Sequence, residues 1–446
     1  MRPFAYLAAA LLLTSAAALA QTSAPNRWGA ETATLPNGLE VIVLPQRRVP
    51  AVHHLLLYRV GSADEEPGKS GLAHYLEHLM FKGTEKTPPG AFDALVNRFG
   101  GRQNAFTTYD YTGYFQTMPR DQLAAVMALE ADRMAGLKLS DANSKPELTV
   151  VLEERNQRTN RPPGGQLSEL ANATLFINHP YRRPIIGWEA EIKGLTYQDA
   201  LEFHARWYAP NNAVLVVAGD TNLAEVLKLA ENTYSKVSAQ PLPSRPVIAE
   251  PPRVAPALLV DRSPRVTDAA WGRRALIPSW GTATPKEVAA LALLTDILGG
   301  GIDSRLDRAL VRDGKFALAA GAGADLLRRG PGMLYLSATP APGVPLQTVE
   351  ATVESVLDAL RRDGVTPEEM ARSLQRLTGG EAYDRDSLTG LANRIGRGRM
   401  VGQSLADMAG EDDLLRALTV ADVNRAAQVL LPTAFVTTHL LPKPAL

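Results

Sequence analysis

Two histidines and a glutamate in one short segment are the residues of this sequence best suited to chemistry. They are His74, Glu77 and His78, within the sequence GLAHYLEHLM. Residues four apart on a helix lie one turn above each other, so both imidazoles can face one ion. Two neutral imidazoles leave a tetrahedral zinc ion short of one protein ligand, with a fourth position for water. Glu77 lies on the same side, slightly rotated, which suits a general base for that water better than a ligand.

The third ligand should come from another part of the chain, and a second predicted helix over residues 147–158 offers carboxylates. Glu147, Glu154 and, less well placed, Glu153 lie there among apolar residues. Glu147 and Glu154 are seven residues apart, about two helical turns, and therefore share a face. One can bind the metal while the other hydrogen-bonds a ligating imidazole. The residues by themselves leave open which carboxylate does which.

The same three residues could instead belong to an ordinary solvent-exposed helix face, with an incidental ion pair and no metal. His, Glu and His at three of five positions in an otherwise apolar helix are unusual for a surface helix, which favours the metal site. The chain has seven histidines. His179 is predicted to be a loop or helix-entry residue. The others lie in strand-like or helix-like stretches without matched partners and are predicted to be structural: His53, His54, His204 and His439.

The elements around these residues predict an α+β fold of two homologous domains. Ser70 is a candidate N-cap for the helix at 70–80, residues 119–134 read as another helix, and an alternating run spans 104–116. Residues 235–256 contain six prolines and predict an extended linker. Segments 21–234 and 257–446 on either side repeat one order of strands and helices. We therefore expect each domain to be a largely antiparallel sheet with helices packed over it.

Composition and charge exclude several classes of function. The chain has 446 residues, 47 Lys+Arg against 47 Asp+Glu, and no cysteine. With a net charge of zero, the chain has no general electrostatic attraction to nucleic acid. It also lacks nucleotide-binding sequence motifs, so neither kind of function is indicated. Residues 1–20 have a basic start, an Ala/Leu run and the ending Ala-Leu-Ala before Gln21, typical of a cleaved signal peptide. We expect an exported protein without a stable membrane anchor, either secreted or periplasmic in a Gram-negative bacterium.

The sequence resembles the pitrilysin/insulinase peptidases, whose inverted H-x-x-E-H motif matches residues 74–78. The similar segments are GLAHYLEHLMFKGT at 71–84, GGRQNAF at 100–106, the predicted helix at 147–155 and APNNAVLVVAG at 209–219. The chain is similar in size to the subunits of mitochondrial processing peptidase. The resemblance implies one Zn²⁺ per chain with His74, His78 and Glu154 as ligands, Glu153 being the competing choice for the third. It also implies Glu77 as the base and Glu147 as the partner of a ligating imidazole.

The resemblance further implies where a peptide binds and what completes the site. Asn104, Ala105 and Phe106 match a strand that binds extended peptide in the family, although an ordinary half-buried strand would look the same. Members of the family also use an Arg and a Tyr that lie across the substrate-binding chamber from the metal site. Candidates are Tyr383, Arg385 and Arg394, and none aligns clearly with that pair.

The predicted function is that of a zinc metalloendopeptidase acting on peptides or unfolded segments. In the family two halves close around the substrate, and the resemblance implies that this chain is one such half. Its second half has no His pair at 285–294. The resemblance therefore implies a homodimer, or a heterodimer with a metal-free paralogue. The alternatives are a non-catalytic peptide-binding or assembly subunit, and a zinc buffer of the envelope, for which the chain lacks His-rich loops.

Overall fold

The computed structural model of the protein describes residues 27–379 and 387–443. The predicted signal peptide and the candidates Tyr383 and Arg385 lie outside these ranges. Strands of the first half are β1 (Glu31–Thr34), β2 (Glu40–Pro45), β3 (Ala51–Tyr58), β4 (Arg102–Thr107), β5 (Thr112–Pro119) and β6 (Ala213–Gly219). Its helices are α1 (Leu72–Leu79), α2 (Ala91–Arg98), α3 (Leu123–Gly136), α4 (Asp141–Arg155), α5 (Gly165–Leu175), α6 (Glu189–Ile192), α7 (Tyr197–Trp207) and α8 (Leu223–Asn232).

The second half repeats this order of strands and helices. Its strands are β7 (Ala257–Ser263), β8 (Ala270–Ile277), β9 (Ala317–Asp325), β10 (Gly332–Pro340) and β11 (Val436–Pro442). The helices described there are α9 (Pro285–Gly299), α10 (Leu346–Asp363), α11 (Pro367–Gly379), α12 (Gly390–Met400), α13 (Leu405–Ala409), α14 (Glu411–Arg416) and α15 (Val420–Ala426). Single π-helical turns follow α4 at Asn156–Asn160 and α9 at Asp307–Arg312.

Each half forms its own sheet, and the two sheets share the topology of five strands, β1 of the first sheet having no counterpart among the described strands of the second. The first has the order β1-β2-β6-β3-β5-β4 and the second the order β7-β11-β8-β10-β9. β2 and β6 are parallel, as are β7 and β11, and the other pairs are antiparallel. The α+β prediction with largely antiparallel sheets is confirmed. Among the described residues, β4 of the first sheet and β9 of the second are edge strands that pair on one side only.

The first sheet is covered on both faces, and the alternation along β3 shows how. Val52 and Leu56 join the core beneath α1, α3 and α7, whereas Leu55 and Leu57 point to the opposite face. All four are buried. Because side chains alternate in a strand, this apolar run can bury both faces of the sheet at once.

The opposite face of the first sheet is covered by a helix from the second half. Leu391 and Ile395 of α12 pack in one cluster with Leu55 and Leu57 of β3. Gly396 permits this close approach, since a Cβ there would lie 2.5 Å from the Leu57 side chain. The sheet of the first half is thus completed by a sequence-distant helix.

The second sheet is likewise covered by a helix from the other half. Helix α5 of the first half packs against it. Ala171 and Leu175 share a buried cluster with Val436 of β11. Arg274 of β8 donates to the carbonyl oxygen of Ser168 at 2.8 Å and to its hydroxyl at 2.6 Å. Each half therefore contributes a helix to the sheet of the other, which ties their orientations together.

The proline-rich connection has no regular secondary structure over residues 237–256. It is nevertheless fastened to the first half. The carboxylate of Glu250 accepts hydrogen bonds from the backbone of Asn178 and His179, at 3.0 and 2.6 Å. Arg253 donates to the carbonyl of Thr174 at 2.6 Å. The connection is therefore an extended strap lying on the protein.

Candidate metal centre

Helix α1 carries the histidine pair and is capped by a buried carboxylate from outside the helix. Gly71 is the N-cap residue, with φ at 91°. The carboxylate of Glu65 accepts hydrogen bonds from the backbone N–H of Gly71 and of Ala73, at 3.1 and 2.9 Å. Glu65 is only 4% exposed. A carboxylate here satisfies free N–H groups and complements the positive end of the helix dipole.

Ser70 is not the N-cap that the sequence suggested. Its hydroxyl accepts a hydrogen bond from the backbone N–H of Trp188 at 2.9 Å. The cap falls one residue later because Gly71 adopts a left-handed conformation. A Cβ at that position would lie 2.6 Å from the carbonyl oxygen of Ile186. The chain therefore packs closely against the segment before α6 just where the metal helix begins.

Helix α4 brings Glu154 to the two imidazoles. Oε2 of Glu154 lies 3.2 Å from Nε2 of His78 and 3.6 Å from Nε2 of His74. One ligand atom from each of these residues can be chosen so that all lie within 4.8 Å of one another. Of the residues that the structure describes, this is the one such group with three members.

Glu153, the competing choice for the third ligand, points elsewhere. Its carboxylate accepts hydrogen bonds from Gln157 and Arg161 at 3.1 and 2.9 Å, and its side chain is about half exposed. The reason is the rotation of α4. Val151 is fully buried, and Glu147 and Glu154, four residues before and three after it, share its face of the helix. Glu153 is turned roughly 100° from Glu154 and faces solvent.

Glu147 fixes the tautomer of His78. Its Oε1 lies 2.9 Å from Nδ1 of His78, and since an ionised carboxylate only accepts, Nδ1 carries the proton. The other carboxylate oxygen is ion-paired with Lys82. A hydrogen bond of this kind orients a ligating ring and leaves its Nε2 as the coordinating atom.

The surroundings of the two imidazoles shift their pKa values in opposite directions. Burial, with His78 nearby, lowers the pKa of His74 to about 4, so this ring is neutral. Burial would also lower the pKa of His78, but hydrogen bonds to Glu147 and Glu154 outweigh it and raise that pKa to about 9. The hydrogen bond from His78 in turn lowers the pKa of Glu154.

Glu77 lies one residue before His78 and is held by a residue from the neighbouring edge strand. The hydroxyl of Thr107, the last residue of β4, donates to Oε2 of Glu77 at 2.6 Å. Glu77 is 8% exposed, and burial raises its pKa. A carboxylate with a raised pKa and one fixed oxygen is suited to taking up and returning a proton.

The donor set fits a zinc ion. Two imidazole nitrogens and one carboxylate oxygen are the three-ligand set of many catalytic zinc sites, which keep a further position open. The ligands come from two different helices, and Glu147 orients one of the rings, as such sites require. His74, His78 and Glu154 are therefore the residues that would hold the ion.

The predicted substrate strand lies beside this group as the free edge of the first sheet. The side chain of Asn104 is exposed and accepts a hydrogen bond from the backbone N–H of Ala105 at 2.9 Å. Phe106 lies on the face of the sheet that α12 covers and packs against Tyr111 and Phe115. In the part of the chain that the structure describes, this strand pairs only with β5, so its outer backbone groups are available for another strand.

The remaining histidines lie away from the metal-binding group and have structural contacts. His54 is fully buried, with its two nitrogens 2.9 Å from Gln116 and from Tyr234. His179 precedes a short 3-10 turn and accepts from the backbone of Tyr181, which agrees with its prediction as a helix-entry residue. Arg394, a candidate for the arginine that the family uses opposite the metal site, is ion-paired with Glu411 at 2.7 Å.

Two residues beside the group were not singled out from the sequence. Thr107 continues the GGRQNAF segment by one residue, so its position next to the motif was the available signal. Arg158 lies four residues after Glu154, and its Nη2 is 2.7 Å from Oε1 of that carboxylate. The i, i+4 spacing of opposite charges is the signal that could have found it.

Comparison with known proteins places both halves in one family. Residues 41–189 match the family model described as insulinase (peptidase family M16). Residues 194–377 match the model described as peptidase M16 inactive domain. The division agrees with the geometry, because the histidine pair and Glu154 all lie in the first matched segment.

Relatives and solved structures extend the similarity over most of the chain. A Helicobacter pylori protein named zinc protease PqqE is 32% identical over 371 residues, covering 82% of this chain and 81% of that protein. The crystal structure of a protease from Helicobacter pylori superposes with a TM-score of 0.85 at 28% identity, covering 93% of this chain and 99% of that one. The periplasmic protease PqqL from Escherichia coli shares the fold, with a TM-score of 0.80 at 20% identity over 94% of this chain and 48% of its own.

Proposed function

This chain belongs to the insulinase family, peptidase family M16, and we propose that it is a zinc-dependent metalloendopeptidase cleaving peptides or unfolded segments. One observation carries the proposal. The nitrogens of His74 and His78 and a carboxylate oxygen of Glu154 converge within 4.8 Å from two different helices. A general base, Glu77, lies on the same helix as the pair. A zinc-buffering role gives no reason for that base or for its bond to Thr107.

The position of each side chain indicates its role in the proposed reaction. His74, His78 and Glu154 would hold the ion, which when bound supplies Lewis acidity toward the peptide carbonyl and lowers the pKa of water. Glu77 accepts the proton of the attacking water and returns it to the nitrogen of the leaving amine. Thr107 holds one oxygen of Glu77, which leaves the other free for that proton.

The peptide would bind as an added strand along β4. That strand ends in Thr107, which contacts Glu77, so an extended peptide paired with the strand runs past the general base. Backbone pairing is independent of sequence and suits unfolded segments of many compositions. Asn104, Ala105 and Phe106 would supply the backbone groups for this pairing.

The assembly and location complete the proposal. We place the catalytic domain at 21–234 and a metal-free domain at 257–446, joined by 235–256, after removal of residues 1–20 on export to the periplasm or beyond. No helix in the described ranges is long and apolar enough to cross a membrane. A chain with one metal-binding half is proposed to pair with a second copy or with a metal-free relative.

The test of the function compares Glu77→Gln with Glu153→Gln, a matched control on the solvent side of α4. Both proteins are loaded with zinc and assayed with quenched fluorescent peptides, alone and with cell-envelope extract. We expect Glu77→Gln to bind one zinc ion per chain and to lose about 10²–10⁴-fold in turnover, the usual contribution of a general base. Glu153→Gln should keep its turnover. Hydrolysis at the parent rate by zinc-loaded Glu77→Gln would refute the assignment of the base.

The oligomeric state is tested on the same samples. Size-exclusion chromatography with light scattering should give a dimer wherever activity is found. A fully active monomer would overturn the proposed pairing and leave the chemistry of the metal centre unchanged. Activity that requires the extract would identify a partner chain rather than a second copy.

A further inference from the structure

A small polar cavity of about 260 Å³ adjoins the metal-binding group. Arg158 lines this cavity, and its Nη2 lies 2.7 Å from Oε1 of Glu154. The other oxygen of Glu154 faces both imidazoles. The cavity and the metal ligands are therefore joined through one arginine.

Polar side chains from separate segments form the walls of the cavity. They include Tyr109, Arg158, Ser168, Glu169, Asn172 and Arg182. Pockets for drug-sized molecules measure about 300–1,000 Å³. A smaller cavity with polar walls is suited to one polar side chain or one chain end.

The only carboxylate of this lining is already neutralised. Both oxygens of Glu169 accept hydrogen bonds from Arg155, each at 2.7 Å. Arg155 is 5% exposed, so the pair is shielded from solvent. Glu169 therefore has little capacity left to bind a cation or to repel an anion.

The arginines of the cavity lack matching carboxylates. Arg182 is exposed and donates to the carbonyl of Ile177 at 3.2 Å, with no carboxylate within ion-pairing distance in the part of the chain that the structure describes. The side chain of Arg158 is 70% exposed, and its one carboxylate partner among the described residues is Glu154.

A third guanidinium lies behind the wall. Arg274 of β8 donates to the hydroxyl of Ser168 and to Oδ1 of Asn172, at 2.6 and 2.5 Å. It, too, has no carboxylate partner within 27–379 and 387–443. Positive charge therefore exceeds negative charge on this side of the metal-binding group.

We propose that this cavity binds a carboxylate of the peptide, from an Asp or Glu side chain near the cleaved bond or from the peptide C-terminus. The inference rests on the proposed function and adds a preference to it. Guanidinium groups bind carboxylates with paired, charge-assisted hydrogen bonds, and an exposed Arg182 can supply them without breaking an existing ion pair. The same cavity rejects Lys and Arg side chains by like-charge repulsion.

The experiment measures kcat/KM for matched quenched peptides in the assembly that shows activity. Each flanking position of the cleaved bond carries Glu, Gln or Lys in turn, with free and amidated C-termini. The parent should prefer Glu over Gln by at least tenfold at one position, or the free over the amidated end by as much. The two arms distinguish a side-chain carboxylate from a terminal one.

Two substitutions assign the preference to the cavity. Arg182→Gln should bring the ratio of carboxylate to neutral peptides to about one, and Arg182→Glu should invert it in favour of Lys. Arg206→Gln changes an exposed arginine outside the cavity that pairs with Glu66, and it should keep the parent ratio. Fluorescence anisotropy of labelled peptides on Glu77→Gln protein gives the same ratios without turnover.

The outcomes separate this inference from the function on which it rests. Peptides cleaved without regard to charge, or a preference that survives Arg182→Glu, would overturn the inference and leave the peptidase assignment intact. Failure of every peptide to be bound or cleaved would overturn the peptidase assignment, and the inference with it.

Discussion

Nδ1 of His78 donates a hydrogen bond to Oε1 of Glu147 across 2.9 Å, although the two residues lie 69 positions apart in the sequence. The bond joins α1 to α4 and decides which nitrogen of the ring faces Glu154. It also distinguishes the positions of two carboxylates on α4. Glu147 contacts the far side of one ring, while Glu154 lies between the near sides of both.

Replacing Glu147 should weaken zinc binding without removing a ligand. We expect Glu147→Ala to lower the affinity for zinc about 10–100-fold, the usual effect of losing the partner of a ligating histidine. Competition with a chromophoric chelator measures the change. Glu153→Ala removes a carboxylate from the same helix that does not face the metal-binding group, and it should leave the affinity unchanged. Equal losses in both variants would show that helix charge, and not the bond to His78, sets the affinity.

Removing the carboxylate that caps α1 should disturb both stability and the metal centre. Glu65→Ala leaves the N–H groups of Gly71 and Ala73 buried without an acceptor, so we expect a loss of about 2 kcal/mol in the free energy of unfolding. Zinc affinity should fall as well, because His74 follows Ala73 directly. Urea unfolding and chelator competition measure the two effects. Glu66→Ala is the control, since that neighbouring side chain is 52% exposed.

Arg329 joins the two halves and should be among the costliest arginines to replace. It reaches from the loop before β10 to Asp64 at 2.8 Å and to Asp110 at 3.1 Å. The side chains of these two aspartates are 5% and 4% exposed. Because Arg329→Met leaves buried carboxylates short of a partner, we expect a loss of about 3 kcal/mol in unfolding free energy.

The matched control for Arg329 is Arg312, whose pair with Asp303 is about half exposed on both sides. Arg312→Met should cost less than about 1 kcal/mol. Urea unfolding followed by tryptophan fluorescence measures both. If Arg329→Met unfolds like the parent, the contact does not hold the halves together.

Stability should fall as the pH drops below about 6.5, because buried histidines must stay neutral in the folded state. Burial, with His54 nearby, lowers the pKa of His53 to about 4, and burial lowers that of His204 to about 4. The unfolded chain takes up these protons first, so folding loses about 1.4 kcal/mol per pH unit for each histidine between pH 6.5 and 4. Urea unfolding at pH 7.5 and 5.5 should show the loss.

A variant separates this effect from other acid effects. His204→Gln should show a smaller difference between the two pH values than the parent does, whatever its absolute stability. An unchanged difference would mean that His204 is not kept neutral by the fold.

Local periodicity was sufficient to predict the chemistry carried by one helix. His74, Glu77 and His78 share one side of α1 because 3.6 residues per turn place them there in any helix. The same argument paired Glu147 with Glu154. The alternation of apolar residues and the repeated order of elements predicted two largely antiparallel sheets with helices. These features depend on residues close in sequence, so the sequence contains them directly.

Contacts between sequence-distant elements were decided by the tertiary structure alone. The N-cap residue of α1 is Gly71 rather than Ser70, where the segment around Ile186 packs closely, and the partner of Glu77 is Thr107, from a strand 30 residues away. The packing of α12 on the first sheet and of α5 on the second also depends on such contacts. So does the cavity beside Glu154. Such contacts depend on how helices rotate and slide as they pack, and a one-residue shift in that packing changes every neighbour while leaving the local pattern of the sequence the same.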